Sequence, residues 1–247
     1  MDELVFYRDG KRICGKLLRP AGREVFPLVI ISHGFGSDMR SNLLVASLFA
    51  ENGIGAFIFD FIGGGRETVS DGKMTEMSVL TESEDLMTVI DELKKLSCVD
   101  ASNIVLMGKS QGGYVSTYVA GKLRDTIRAM VLYYPAYVIY DDAVKRTEKR
   151  GYIPDTQDVM GNLIGSIYEK DALSVDIFES IASYNGPVLI IHGTRDDIVP
   201  YSYSQKAGKL FSDCRLVPVE DAGHGFSGAD ESYADSLSVD FVKEIIK

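Results

Sequence analysis

Apolar residues in this chain gather into short, closely spaced runs with few polar positions inside them. Leu28–Ser32, Gly55–Phe61, Asn103–Met107, Ile127–Tyr134 and Pro187–Ile191 are all of this kind, rich in β-branched and aromatic residues. A strand with one wet face alternates apolar and polar positions, whereas a strand covered on both faces reads as a continuous run. These five segments are therefore predicted to be strands buried on both sides. A sixth, Arg215–Val219, follows near the end.

Helical spacing fills the gaps. It is clear over 41–52, where Leu44, Leu48 and Phe49 share a side, and over 79–96, where Asp85, Glu92 and Lys94 are assigned to solvent. Further helices are predicted after Gly108–Gly113, over 202–212 and over 231–246. Residues 4–18 read as two strands turning at Asp9-Gly10, a hairpin signal. Strands alternating with helices imply a mostly parallel, doubly wound α/β sheet with right-handed crossovers. In such sheets the chemistry collects at the carboxyl ends of the strands.

The rhythm breaks over 136–183, which is polar, tyrosine-rich and weakly patterned. That is far longer than an ordinary connection. It is expected to be an inserted lid with one or two short helices inside a single domain, 1–247. Its Tyr137, Tyr140, Tyr152 and Tyr168, with Ile164 and Ile167, are expected to form an apolar wall over the site.

Composition narrows the function classes. A net charge of −10 argues against nucleic acid as a partner. No stretch has the length of a membrane span, and the start, Met1-Asp2-Glu3-Leu4, lacks the features of a signal peptide. Cys14, Cys98 and Cys214 are scattered and odd in number, so neither a disulfide framework nor a zinc site is expected, and free thiols suit the cytoplasm. Gly63-Gly64-Gly65-Arg66 has neither the Lys-Ser/Thr of a phosphate-binding loop nor a dinucleotide fingerprint. No metal and no cofactor are expected. A homodimer is admitted and not required.

Candidate chemistry centres on Gly108-Lys109-Ser110-Gln111-Gly112-Gly113, placed between a strand and a helix. That is the setting of a G-x-S-x-G nucleophile elbow, which presents a serine on a sharp turn above a helix N-terminus. Serine needs a base, and the base needs a carboxylate to hold its tautomer. The sequence has three histidines. His33 and His192 each follow a strand directly and read as local structural residues. His224, in Ala222-Gly223-His224-Gly225, has the looser setting of a base. Asp196 and Asp197 are both placed to supply the carboxylate, in the chain order serine, acid, histidine.

Three motifs now carry a resemblance over essentially the full length: His33-Gly34-Phe35-Gly36, Gly108–Gly113, and His192–Pro200 together with Ala222–Phe226. The chain resembles the α/β-hydrolase serine esterases, and within them the bacterial cinnamoyl (feruloyl) esterases. Those proteins share the H-G-F turn, the G-x-S-Q-G-G elbow and a small lid after the sixth strand. The resemblance implies the acid is Asp196, with Asp197 a solvated loop residue. It implies an oxyanion hole from the backbone N–H groups of Phe35 and Gln111. It also places Asp142 and Tyr168 at lid positions that could bind a phenolic hydroxyl. Two departures bear on the substrate: Lys109 stands where many relatives have histidine, and Ile62–Thr68 replaces a G-H-G-x-S type turn.

The implied activity is hydrolysis of a small-molecule carboxylic ester, hydroxycinnamoyl esters included, through an acyl-enzyme on Ser110. Rival readings are a serine peptidase or acyltransferase of this fold, or a catalytically silent binding protein. These 247 residues show no propeller domain of the kind common among oligopeptidase relatives, which ranks the peptidase below the esterase.

Overall fold

The structure is a computed structural model describing residues 1–246; Lys247, the last residue of the expected domain, lies outside them. β1 (Asp2–Arg8) and β2 (Lys11–Leu18) form the expected hairpin, turning on Asp9 and Gly10, both at positive φ. Then come β3 (Phe26–Ser32), α1 (Leu43–Glu51), β4 (Gly55–Phe59), α2 (Val79–Leu93), β5 (Val99–Lys109), α3 (Gln111–Leu123) and β6 (Ala129–Tyr133). After an insertion, β9 (Val188–Gly193), α7 (Ser202–Leu210), β10 (Cys214–Val219) and α8 (Ala229–Ile245) complete the sheet and its cover.

The eight strands run in the order β1-β2-β4-β3-β5-β6-β9-β10. β1 and β2 pair antiparallel, and β2 also meets β4 antiparallel. Every other pairing is parallel. The chain runs outward from β3 to β4, then returns to place β5 on the other side of β3. The carboxyl ends of β3 and β5 therefore flank the point where the winding reverses, the position where doubly wound sheets open a crevice.

The apolar runs behave as strands covered on both faces. Leu28 and Ile30 of β3 join one core with Leu106 of β5, Leu86 of α2 and Val115 of α3. Val29 and Ile31 face the other way, with Met107, Phe49 of α1 and Val242 of α8. Leu44, expected on the buried side of α1, points to solvent; Val45, Ala46 and Phe49 make the contact instead. Among the described residues no helix is long and apolar enough to cross a membrane.

Residues 136–183 hold more structure than expected: α4 (Ile139–Arg150), a hairpin of β7 (Thr156–Val159) and β8 (Asn162–Gly165), α5 (Ser166–Ser174) and α6 (Ile177–Ser183). What organises the segment is polar and non-local. Arg146 of α4 donates twice to Glu169 of α5, at 2.6 and 3.0 Å, and Gln157 of β7 donates to the same carboxylate at 2.6 Å. Four-residue strands joined by such pairs leave little periodicity to read. α6 belongs to the sheet's cover: it lies so close to α3 that a Cβ on Gly121 would meet Ser180 O at 2.7 Å.

Asp85 is a correction. Helical spacing assigns it to solvent, yet it is fully buried, accepting from Arg8 Nε at 2.5 Å and from Ile62 N–H at 2.8 Å. Both donors come from segments distant in sequence. Burial pushes the carboxyl up to about 6, even with the Arg8 guanidinium beside it. An aspartate whose folded pKa exceeds its unfolded value, roughly 3.9, costs stability while charged; that cost fades as pH falls from 6 toward 4. Arg8→Ala strips the charged carboxylate of its cation, a loss of about 3–5 kcal/mol for a broken buried pair. The drop in Tm is expected to be larger at pH 8 than at pH 5, where Asp85 is mostly neutral. Thermal unfolding at the two pH values checks this, and equal losses would contradict it.

Candidate active site

Ser110 ends the climb of β5 and starts α3 with φ 53° and ψ −117°, a conformation that non-glycine residues seldom adopt. Neighbouring hydrogen bonds hold it there. Its N–H donates to Tyr133 O at 2.9 Å, and its carbonyl accepts from Gly113 N–H at 2.9 Å and from Ala136 N–H at 3.0 Å. The turn closes only because its neighbours lack side chains. A Cβ on Gly108 would sit 2.2 Å from Gly112 O, and one on Gly112 would sit 2.4 Å from Ser32 O.

The structure brings Ser110, His224 and Asp196 into one series. Ser110 Oγ lies 3.0 Å from His224 Nε2, and His224 Nδ1 lies 2.7 Å from Asp196 Oδ2. Asp196 is buried, and its Oδ1 accepts from the N–H groups of Ile198, at 3.0 Å, and Val199, at 2.8 Å. Asp197 is exposed and outside the series. His192 is a local structural residue, as expected, but with a further partner. Its Nε2–H reaches Val199 O at 2.9 Å and Asp196 Oδ2 at 3.0 Å, while Nδ1 accepts from Ser204 Oγ at 2.6 Å. Burial works to raise the Asp196 carboxyl; donation from His192, His224 and Val199 outweighs it and holds the group below the usual carboxylate range. The acid therefore stays ionised across the neutral range.

His33 is buried under the neighbouring turn. Its Nδ1–H donates to Gly34 O at 2.9 Å, and Nε2 accepts from Phe61 N–H at 3.3 Å. Burial lowers its pKa, so it is held neutral. The N–H groups of Phe35 and Gln111 donate to no acceptor among the described residues, and both residues border the space beside Ser110. Two free donors on residues that border one space beside a serine are suited to an oxygen that gains negative charge.

Two spaces flank Ser110. The smaller, about 70 Å³, is bordered by Phe35, Gln111, Asp142, Arg146 and Tyr168. The larger, about 340 Å³, is bordered by Lys109, Tyr134, His224, Phe226 and Glu231. A bigger cavity, about 460 Å³, lies between the insertion and α7 and contains none of these groups. Lys109 is half-buried, donates to Ser41 O at 3.3 Å and lies 5.7 Å from the centre of the Tyr133 ring.

The insertion delivers less to the site than expected. Tyr168 reaches it, but its hydroxyl donates inward to Gln111 Oε1 at 2.6 Å, and its ring packs 5.6 Å from that of Phe35. Asp142 borders the smaller space and pairs loosely with Lys145 at 3.4 Å. The tyrosine wall does not assemble: Tyr137 is buried against Thr117, and Tyr140 and Tyr152 face solvent. Two residues at the site escaped sequence reasoning. Tyr134, at φ 37°, stands its ring edge-on to His224 at 4.7 Å. Glu82 accepts from Gln111 Nε2 at 2.8 Å, and burial pushes its carboxyl well above the ordinary range. The available signal was a carboxylate on the apolar stripe Val79, Leu86, Val89, Leu93.

The Prolyl oligopeptidase family matches residues 40–247. The chain belongs to that family. Est1E from Butyrivibrio proteoclasticus, solved with ferulic acid bound, is 28% identical, with a TM-score of 0.89 over 98% of this chain and 99% of that one. YfhR of Escherichia coli K12, an uncharacterized protein, is 26% identical over 95% of this chain and 78% of its own. YitV of Bacillus subtilis, whose name carries the word esterase, is 29% identical over 73% of this chain and 72% of its own. The sheet order and these likenesses make the fold that of the α/β-hydrolases. The expected likeness to cinnamoyl esterases holds in this prolyl oligopeptidase family member.

The glycines of the elbow generate a matched test. Gly112→Ala forces a Cβ onto Ser32 O and His33 O, whereas nothing lies within 4 Å of a Cβ on Gly223, beside His224. Overpacking against backbone costs about 1–3 kcal/mol. Urea unfolding should show that loss for Gly112→Ala and less than about 0.5 kcal/mol for Gly223→Ala. Equal stability of the two variants would contradict the account of the elbow.

Proposed function

We propose that this chain is a serine carboxylesterase acting on small carboxylic esters. Ser110 attacks the ester carbonyl while His224 takes its proton, and Asp196 stabilises the imidazolium that forms. The backbone N–H groups of Phe35 and Gln111 receive the oxyanion. His224 then protonates the departing alcohol and activates the water that releases the acid. The observation that carries this reading is the unbroken series from Ser110 Oγ through His224 to Asp196, with contacts of 3.0 and 2.7 Å.

The two flanking spaces divide the substrate between them. The group that protonates the leaving oxygen must face it, and His224 borders the larger space and not the smaller. The alcohol half therefore belongs in the larger space and the acyl half in the smaller. About 70 Å³ is far below the roughly 300–1,000 Å³ of sites that take drug-sized ligands, which favours short acyl groups. A second reading, hydroxycinnamoyl esters, is favoured by the likeness to Est1E with ferulic acid bound, and gives Asp142 the phenolic hydroxyl. The family description brings in peptide bonds as a rival scissile bond.

Ser110→Ala and His224→Ala are each expected to lower kcat by about 10³-fold or more, because such groups act as a unit. Asp196→Asn should cost at least about 10²-fold and Asp197→Asn less than about twofold, since only Asp196 holds the imidazole. If Asp197→Asn proves the more damaging, the acid is misassigned. A panel of p-nitrophenyl esters from acetate to octanoate, with methyl ferulate and an aminoacyl anilide, fixes the substrate class. Falling kcat/KM with acyl length supports short acyl groups; methyl ferulate ahead of acetate supports the second reading; turnover of the anilide alone overturns both.

A further inference from the structure

Gln111 has two parts, and the proposed chemistry uses only its backbone N–H. Its side chain is buried and held at both ends. Nε2 donates to Glu82 Oε2 of α2 at 2.8 Å and touches Met77 Sδ at 3.6 Å, while Oε1 accepts from the Tyr168 hydroxyl of α5 at 2.6 Å. A chain of two hydrogen bonds thus crosses from α2 to the insertion and passes through the residue that follows Ser110.

Glu82 is unusual in this setting. It is 1% exposed, and among the described residues no cation pairs with it: Arg8 pairs with Asp9, Glu84 and Asp85, and Arg146 pairs with Glu169. A buried carboxyl without a cation is a poor way to stabilise a helix, because an apolar residue of similar size would avoid its desolvation. What Glu82 does provide is an acceptor at one fixed place, aimed at Gln111. Tyr168 supplies the opposing donor. Its hydroxyl is committed to this contact, so it is not open to a substrate phenol.

The peptide between Ser110 and Gln111 is held on its carbonyl side, where Ser110 O accepts from the N–H groups of Gly113 and Ala136. On its N–H side no backbone partner among the described residues holds it, and the Gln111 side chain is the anchor there. We propose that Glu82 and Tyr168 are positioning residues for the Gln111 N–H: by clamping both ends of the Gln111 amide they fix the peptide that carries the oxyanion donor. This rests on the serine esterase reading and assigns to that site a support that reaches it from two separate elements. An interaction that matters only when the oxyanion forms lowers kcat and leaves KM alone.

The test is a set of double-mutant cycles on p-nitrophenyl acetate and methyl ferulate, with Ser110→Ala as control. Glu82→Gln keeps an acceptor for Gln111 and should retain kcat within about twofold. Glu82→Leu removes the acceptor and should lower kcat about tenfold on both esters, with KM changed less than about twofold; loss of a whole oxyanion donor would cost roughly 10²–10³. Tyr168→Phe should lower kcat about threefold on both. In a Gln111→Met background, each change should add less than about twofold, because its route to the site is already cut. If Glu82→Leu does not fold, the Tyr168→Phe and Gln111→Met cycle carries the test alone. Unchanged kcat in Glu82→Leu and Tyr168→Phe, the same losses in the Gln111→Met background, or a loss confined to KM on one ester overturns the proposal. Turnover surviving in Ser110→Ala overturns the serine reading itself, a separate result.

Discussion

The site depends on one strained residue. Ser110 is held at φ 53° and ψ −117°, a backbone state that costs of order 1–3 kcal/mol and persists only when its surroundings over-determine it. Those surroundings are specific. β6 fixes the serine N–H, the first turn of α3 and Ala136 fix its carbonyl, and two glycines, Gly108 and Gly112, let β3, β5 and α3 approach within backbone contact. The sheet, the crossover after β5 and the glycines of the elbow are thus one mechanical unit. The same turn that strains the serine leaves the Gln111 N–H at the head of α3 without an acceptor among the described residues, beside Ser110.

Around that unit, charge is arranged to stay put. Asp196 sits in the loop after β9 with its carboxylate saturated by two backbone N–H groups and two imidazoles. A saturated, ionised acceptor cannot swing, so His224 is held in the tautomer that presents Nε2 to the serine. His192 donates to Asp196, and the Tyr134 ring stands edge-on to His224. Further out, Asp85 and Glu82 both bury carboxyls on α2 and hold a loop and the start of α3 by accepting from Ile62 N–H and Gln111 Nε2. One helix thereby tethers the glycine-rich loop after β4 and the residue after Ser110.

Most of the scaffold was legible because its signals are local. Continuous apolar runs announce strands covered on both faces, and a serine between glycines, after a strand and before a helix, announces the elbow. The choice of His224 among three histidines followed from its loop setting, and the structure places it against Ser110 Oγ. What escaped was non-local. Asp85 looks solvated on a helical wheel until Arg8 and Ile62 arrive from elsewhere in the chain. The insertion looks featureless because Arg146, Gln157 and Glu169 organise it through an ion pair and a hydrogen bond and not through periodicity. Tyr168 was readable as a lid residue, but the direction of its hydroxyl depends on Gln111, fifty-seven positions away.

The central claim is that the hydroxyl of Ser110, activated through His224, is the nucleophile. Labelling with a fluorophosphonate and mapping the modified peptide by mass spectrometry tests it most directly. The account predicts one phosphonyl group per chain, carried on Ser110, abolished in Ser110→Ala and strongly slowed in His224→Ala. A label on any other residue, or ester turnover that persists when Ser110 is fully modified, would contradict it.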